Sequence, residues 1–260
     1  MTDYSFVVDK LQTILNENDN ISTLFFNKWG VDKKSFKLKI TNPLTHGGYI
    51  SKSISINNIE VDKDTTVLDI GPEMGLEVFM LSESAKKIIV CDPDQDNLML
   101  IKLIAEKYVN NAGLNVGEIV EFRPLGFNNS DTFVIEEKNR YEGIVEKLGH
   151  SLPAFYNVSS SDAVRDITET KFDLVFVHKI LTTITRSNTV DSYKVFRQAV
   201  DDILPLLEND GICSWTEPEF VFEQKQILSQ LRYMNQLKYS VIDYQPKELP
   251  EKFIQLLIGK

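Results

Sequence analysis

TVLDIGPEMGLEVFMLSESAKKIIVCD, residues 66–92, is the stretch from which the fold is read. A short apolar run, Val67 to Ile70, breaks at Gly71. A second glycine, Gly75, follows four residues later and opens the helix-like run Leu76 to Ser84. The next apolar run, Ile88 to Cys91, stops on Asp92. Strand, glycine turn, helix, strand and acid in this order form the sequence signature of a nucleotide-binding βαβ unit. The turn lets backbone approach a ligand and the second acid can chelate a ribose diol. Asp69 and Glu73 flank the turn, and carboxylates there repel a pyrophosphate but favour a ligand that carries positive charge. An adenosine ligand with a cationic end, such as S-adenosylmethionine with its ammonium and sulfonium, meets both conditions.

At these residues the chain resembles the class I S-adenosylmethionine-dependent methyltransferase family, whose first motif runs acid-x-Gly-x-Gly-x-Gly at the end of the first strand. Asp69, Gly71 and Gly75 fit it, and Asp92 stands where the family's ribose-binding acid ends the second strand. Glu73 departs from the pattern by taking the place of the middle glycine. Its side chain either meets the amino acid end of the cofactor, turns away from it, or partly blocks the site. The resemblance implies S-adenosylmethionine as cofactor, S-adenosylhomocysteine as product, and cofactor contacts from Asp69, Gly71, Pro72, Glu73, Gly75, Asp92 and Pro93. The plain alternative is a βαβ unit without a ligand.

Composition places the rest of the chain around this unit. The 260 residues suffice for one domain with an appended segment. Hydrophobic residues make up 42% and charged residues 25%, as in ordinary globular proteins. The formal net charge of -10 repels polyanions at long range, so nucleic acid is disfavoured as a substrate and a small-molecule acceptor gains weight. Two cysteines, Cys91 and Cys213, each lie in an apolar strand-like run and read as core thiols, which suits a reducing compartment. The N-terminus lacks the form of a signal peptide and no apolar run is long enough to span a bilayer, so a cytoplasmic location is expected. The three histidines are too scattered to read as a metal site.

Residues 1–60 precede the βαβ unit. Phe6, Val7, Leu11, Ile14 and Leu15 recur at helical spacing, and Ile21, Leu24, Phe25 and Trp29 predict a second helix closed by Gly30. This segment either packs on the sheet or forms a lid. His46-Gly47-Gly48-Tyr49 places a paired-glycine turn beside a histidine and a tyrosine shortly before the first strand, so His46 and Tyr49 are candidates to line an acceptor cleft.

Beyond Asp92 an amphipathic helix is predicted from Asn97 to Asn111 and a third strand from Glu118 to Phe122. The family's adenine contact follows that strand, which puts Phe127 first; Asp162, in Ser161-Asp162-Ala163, is the second candidate. Residues 129–170 read as an insertion with a helix around Tyr141 to Leu148. Phe172 to Val177 resembles the fourth strand and ends at His178, which in the family borders the transferred methyl group. An imidazole there can accept the proton of a hydroxyl or amine acceptor, against the alternative of a capping role within the fold. A helix from Val190 to Leu207, a turn at Leu207 to Gly211 and a strand from Ile212 to Trp215 follow. Glu217 and Glu219 flank Pro218 at the ligand end, either binding a cationic acceptor or standing in solvent.

A helix from Phe220 to Leu237 then leads to strands Tyr239 to Tyr244 and Phe253 to Ile258, joined by too few residues for a crossover helix. These two strands are therefore antiparallel. The expected fold is an α/β, Rossmann-like three-layer sandwich. Its seven-stranded sheet is mostly parallel with an antiparallel last strand, occupies residues 61–260, and carries an N-terminal helical segment over residues 1–60. Methyl transfer to an oxygen or nitrogen of a small acceptor is the implied activity. A non-catalytic partner protein of the same fold is one alternative, motivated by Glu73. A nicotinamide-dependent oxidoreductase is a second, disfavoured by the acids around the glycine turn.

Overall fold

The computed structural model describes residues 4–29, 59, 61–72, 74–92, 94–110, 120–123, 171–178, 192–218, 238–244 and 253–259. Two helices come first, α1 (Tyr4–Glu17) and α2 (Asp19–Trp29). The βαβ unit follows as β1 (Thr66–Ile70), α3 (Leu76–Leu81) and β2 (Lys87–Cys91). Then come α4 (Gln95–Asn110), β3 (Val120–Arg123), β4 (Phe172–His178) and α5 (Ser192–Ile203). The described elements end with β5 (Leu207–Pro218), β6 (Lys238–Tyr244) and β7 (Phe253–Gly259).

These strands form one seven-stranded sheet in the order β3-β2-β1-β4-β5-β7-β6. β1 through β5 pair in parallel, whereas β7 runs antiparallel to both β5 and β6. This is the topology that the resemblance implies, a class I methyltransferase fold with its antiparallel insertion. The chain leaves β1 on one side toward β2 and returns on the other side at β4. Such a reversal opens a crevice at the carboxyl ends of the two strands.

Alternation along each strand builds the three layers. Val67, Ile88, Val90, Leu174 and Phe176 point to one face, where α1, α2, α3 and α4 cover them. Leu68, Ile70, Ile89, Val175 and Val177 point to the other, where α5 lies with Trp215 and Cys213. Strands buried on both faces must be apolar nearly throughout, which is why the runs around Gly71 are so short and dense. Cys91 and Cys213 are buried and unlinked, as their setting in the sequence suggests. No helix among the described residues is long and apolar enough to cross a membrane.

The two N-terminal helices share the first of these cores. Val7, Leu11, Ile14 and Leu15 of α1 and Leu24 and Phe25 of α2 are buried with Phe79, Ile104 and Tyr108. Phe6 departs from the expected apolar face and is 52% exposed.

Strand β5 begins earlier than its sequence suggests. Leu207 already pairs with Phe172, and Ile212 with Leu174, so five steps along β5 span two steps of β4. The polar residues 208–210 are accommodated in this irregularity. Gly211 closes it, because a Cβ there would sit 2.6 Å from the Phe172 carbonyl oxygen and 2.9 Å from the Glu208 nitrogen.

Candidate functional site

The carboxyl ends of β1, β2 and β4 bring Gly71, Asp92 and His178 to one edge of the sheet. Gly71 extends the ladder by one step, its N–H donating to the Cys91 carbonyl at 2.8 Å, and then turns the chain at φ 69°. Pro72, itself buried, accepts a hydrogen bond of 2.7 Å from the Gly75 N–H. Gly75 adopts φ 72° and starts α3. Its lack of a side chain serves packing, since a Cβ would lie 2.7 Å from Cγ2 of Ile101 in α4. Two left-handed glycines thus fold the turn tightly over the end of β1.

Beneath that turn sits Asp69, 1% exposed, with neither carboxylate oxygen hydrogen-bonded. Burial holds its carboxyl well above the usual range, and the negative charge of Asp92 adds to the effect. Glu77, in the first turn of α3, is also buried. Its carboxyl is raised by burial first and then by the charge of Asp69.

Asp92 is 7% exposed. Its Oδ1 accepts the Asp94 N–H at 2.8 Å and its Oδ2 accepts Nδ2 of Asn97 at 2.8 Å. Burial and then the charge of Asp94 push its carboxyl up to about 7, while the hydrogen bonds and Lys28 pull the other way. Asp94 is itself tied down, accepting the Asn97 N–H at 3.0 Å and Nζ of Lys28 in α2 at 2.6 Å.

Several carboxylates therefore share a low-dielectric corner in which Lys28 is paired to Asp94. Such a corner either takes up protons or favours a cation placed among the acids. An orphaned carboxylate under a glycine turn, with a second acid at the end of β2, fits the cationic amino acid end and the ribose of S-adenosylmethionine. It does not fit a pyrophosphate. Among the described residues no cluster of three or more His, Cys, Asp or Glu side chains is arranged to hold a metal ion.

Of the other residues singled out in the sequence, the backbone of His178 ends β4, opposite Thr216 of β5. Its side chain, together with His46, Tyr49, Glu73, Pro93, Phe127, Asp162, Glu219 and the 129–170 segment, lies outside the described residues. Glu217 requires a correction. It does not stand in solvent: it is fully buried in β5, where its carboxylate accepts Nε1–H of Trp215 at 3.2 Å. The indole supplies a donor that offsets part of the cost of burying the acid.

Sequence reasoning missed Glu77, Asp94, Asn97 and Lys28. Two of them carried a signal. Glu77 is a lone acid in the otherwise apolar run Leu76 to Leu81, and Lys28 falls on the same helical face as the buried Leu24 and Phe25.

The sequence matches no family model and no curated protein. Solved structures of similar fold include an rRNA methylase from Streptococcus thermophilus, 14% identical, with 81% of this chain and 96% of that one covered at a TM-score of 0.45. A Streptococcus mutans protein described as a methyltransferase in complex with SAH is 14% identical over 80% of this chain and 97% of its own, at a TM-score of 0.46. A ribosomal protein L11 methylase from Lactobacillus delbrueckii subsp. bulgaricus is 12% identical over 83% and 80%, again at 0.46. The fold assignment stands on the strand order rather than on these scores.

The expectation, drawn from net charge, that nucleic acid is an unlikely partner does not hold. The similar chains include proteins named for an rRNA and for a ribosomal protein as targets. Net charge sums the whole surface, whereas a polyanion is held by a local arrangement of cations, so a total of -10 does not decide the acceptor.

Proposed function

We propose that the protein binds S-adenosylmethionine and transfers its methyl group to an oxygen or nitrogen nucleophile. The observation that carries this reading is the unpartnered, buried carboxylate of Asp69 beneath the Gly71–Gly75 turn, beside a second acid at the end of β2. When bound, the cofactor supplies an electrophilic methyl on a sulfonium. The chain's own task is then to hold donor and acceptor in line and to manage one proton.

In this reading Asp69 neutralises the cationic amino acid end, Gly71 and Pro72 allow close backbone approach, and Asp92 accepts from the ribose diol. Glu73 and Pro93 border the same two turns. Phe127, or in its place Asp162, meets the adenine. His178 accepts the acceptor's proton, and His46 and Tyr49 line the acceptor side. Glu217 drops out of that lining because its carboxylate is committed to Trp215.

Calorimetry with S-adenosylmethionine and S-adenosylhomocysteine tests the reading directly. Both should bind, and replacing Asp92 with Ala should weaken S-adenosylhomocysteine by about 1.5–3 kcal/mol, the scale of hydrogen bonds to a charged group. Failure of the wild-type protein to bind either ligand would favour the non-catalytic reading. A transfer assay with labelled methyl donor, run in parallel on small metabolites, RNA and ribosomal proteins, identifies the acceptor class.

A further inference from the structure

The segment after β2 is held from outside the βαβ unit. Asp92 and Asp94 are linked through the Asp94 N–H and through Asn97, which donates its side-chain amide to Asp92 and its backbone N–H to Asp94. The remaining oxygen of Asp94 receives Nζ of Lys28, from α2, at 2.6 Å. Both partners are buried, Lys28 at 6% and Asp94 at 4% exposure. A buried ion pair contributes little net stability against an apolar pair of the same shape, because both charges are desolvated. What it does impose is a fixed geometry: a lysine 66 residues upstream is tied to Asp94 in the segment that follows β2.

We propose that Lys28, in the N-terminal helix α2, is a positioning residue that holds the Asp92 carboxylate in place for a ribose diol through Asp94 and Asn97. The inference rests on Asp92 receiving the ribose, as in the function proposed above. α2 thereby acts on the adenosine site through the Lys28–Asp94 pair. Among the described residues, the groups that face Asp92 are Asp94 from its own turn, Lys28 from α2 and Asp69 from β1, with the neutral Asn97 from α4. Lys28 is the cation among them, so it also favours the ionised form of Asp92 that accepts two hydroxyl donors.

The test is a double-mutant cycle read by S-adenosylhomocysteine affinity. Lys28→Met should weaken binding about tenfold, within the range for residues coupled through one hydrogen-bond network. Lys28→Arg, which keeps the charge, should recover most of that loss. In an Asp92→Ala background Lys28→Met should add almost nothing. In the Lys28→Met protein the fall of affinity with decreasing pH should begin at higher pH than in the wild type, which loss of packing alone does not produce.

A tenfold loss that persists in full without Asp92 would overturn the inference, as would wild-type affinity in a folded Lys28→Met protein. Unchanged affinity in Asp92→Ala would instead overturn the ribose reading beneath it. If the single variant fails to fold with Asp94 left buried and uncompensated, Lys28→Met with Asp94→Asn removes both charges and keeps an acceptor for the Asn97 N–H. The same tenfold loss is expected there, and wild-type affinity rejects the inference.

Discussion

Replacing Gly75 with Ala should destabilise the protein by about 3 kcal/mol through two separable terms. The first is conformational: Gly75 holds φ 72°, and a Cβ in that region costs roughly 1–2 kcal/mol. The second is steric, because the added methyl would lie 2.7 Å from Cγ2 and 3.0 Å from Cγ1 of Ile101. Those atoms branch from a buried Cβ and cannot swing aside as a flexible chain end would, so overpacking of about 1–3 kcal/mol applies. At roughly 2–4 °C per kcal/mol for a chain of this size, melting should fall by about 6–12 °C. Urea unfolding of four proteins separates the terms: wild type, Gly75→Ala, Ile101→Ala and the double variant. With Ile101 truncated, Gly75→Ala should cost only the conformational part, about 1–2 kcal/mol. A single variant within about 0.5 kcal/mol of wild type, the range of surface substitutions, would refute both terms. An undiminished cost in the Ile101→Ala background would refute the contact.

Asp69→Asn should raise the melting temperature of the ligand-free protein at pH 8 while weakening S-adenosylmethionine strongly, and parallel thermal melts and calorimetry check both. The sign follows from the raised carboxyls of Asp69, Glu77 and Asp92: the folded state binds protons that the unfolded chain has released, so their contribution is full at acid pH and is lost as pH rises. For Asp92 that window runs from 3.8 to about 7. Melting curves whose pH dependence is the same in Asp69→Asn and wild type would reject the account for Asp69. His178→Ala should lower turnover roughly a hundredfold with cofactor affinity intact, if the imidazole accepts the acceptor's proton. A folded variant with near-normal turnover removes it from the mechanism.

The fold was legible because strand and helix periods, the glycine turn and the short join before Phe253 all point to one topology. Boundaries failed where polar residues stood inside a strand. Residues 208–210 read as a turn, yet β5 takes them up as an irregularity against Phe172, a tertiary solution that local pattern does not encode. Glu217 failed differently: its contact with Trp215, two residues back on the same face of the strand, is local, but its burial comes with the pairing of β5 against β7, where it stands opposite Ile254. At the site, Asp69 and Asp92 could be read from spacing because they lie within the βαβ unit itself. Lys28 showed only its place on the buried face of α2; its pairing with Asp94 could not be read, because the partner is 66 residues away and pairing over that distance leaves no periodicity in the sequence.

The order β5-β7-β6 also bears on how the chain folds. Among the described strands β6 pairs with β7 alone, and β7 is the later of the two along the chain. Until residues 253–259 arrive, β5 exposes an unpaired edge and β6 has no strand to pair with. Closing that gap is a long-range event, slow relative to the local pairing of the βαβ unit. In the meantime the waiting edge of β5 is a template for another chain. A chain cut short before Phe253 thus ends with an open sheet edge and an orphan strand, a state prone to aggregation rather than a smaller stable sheet.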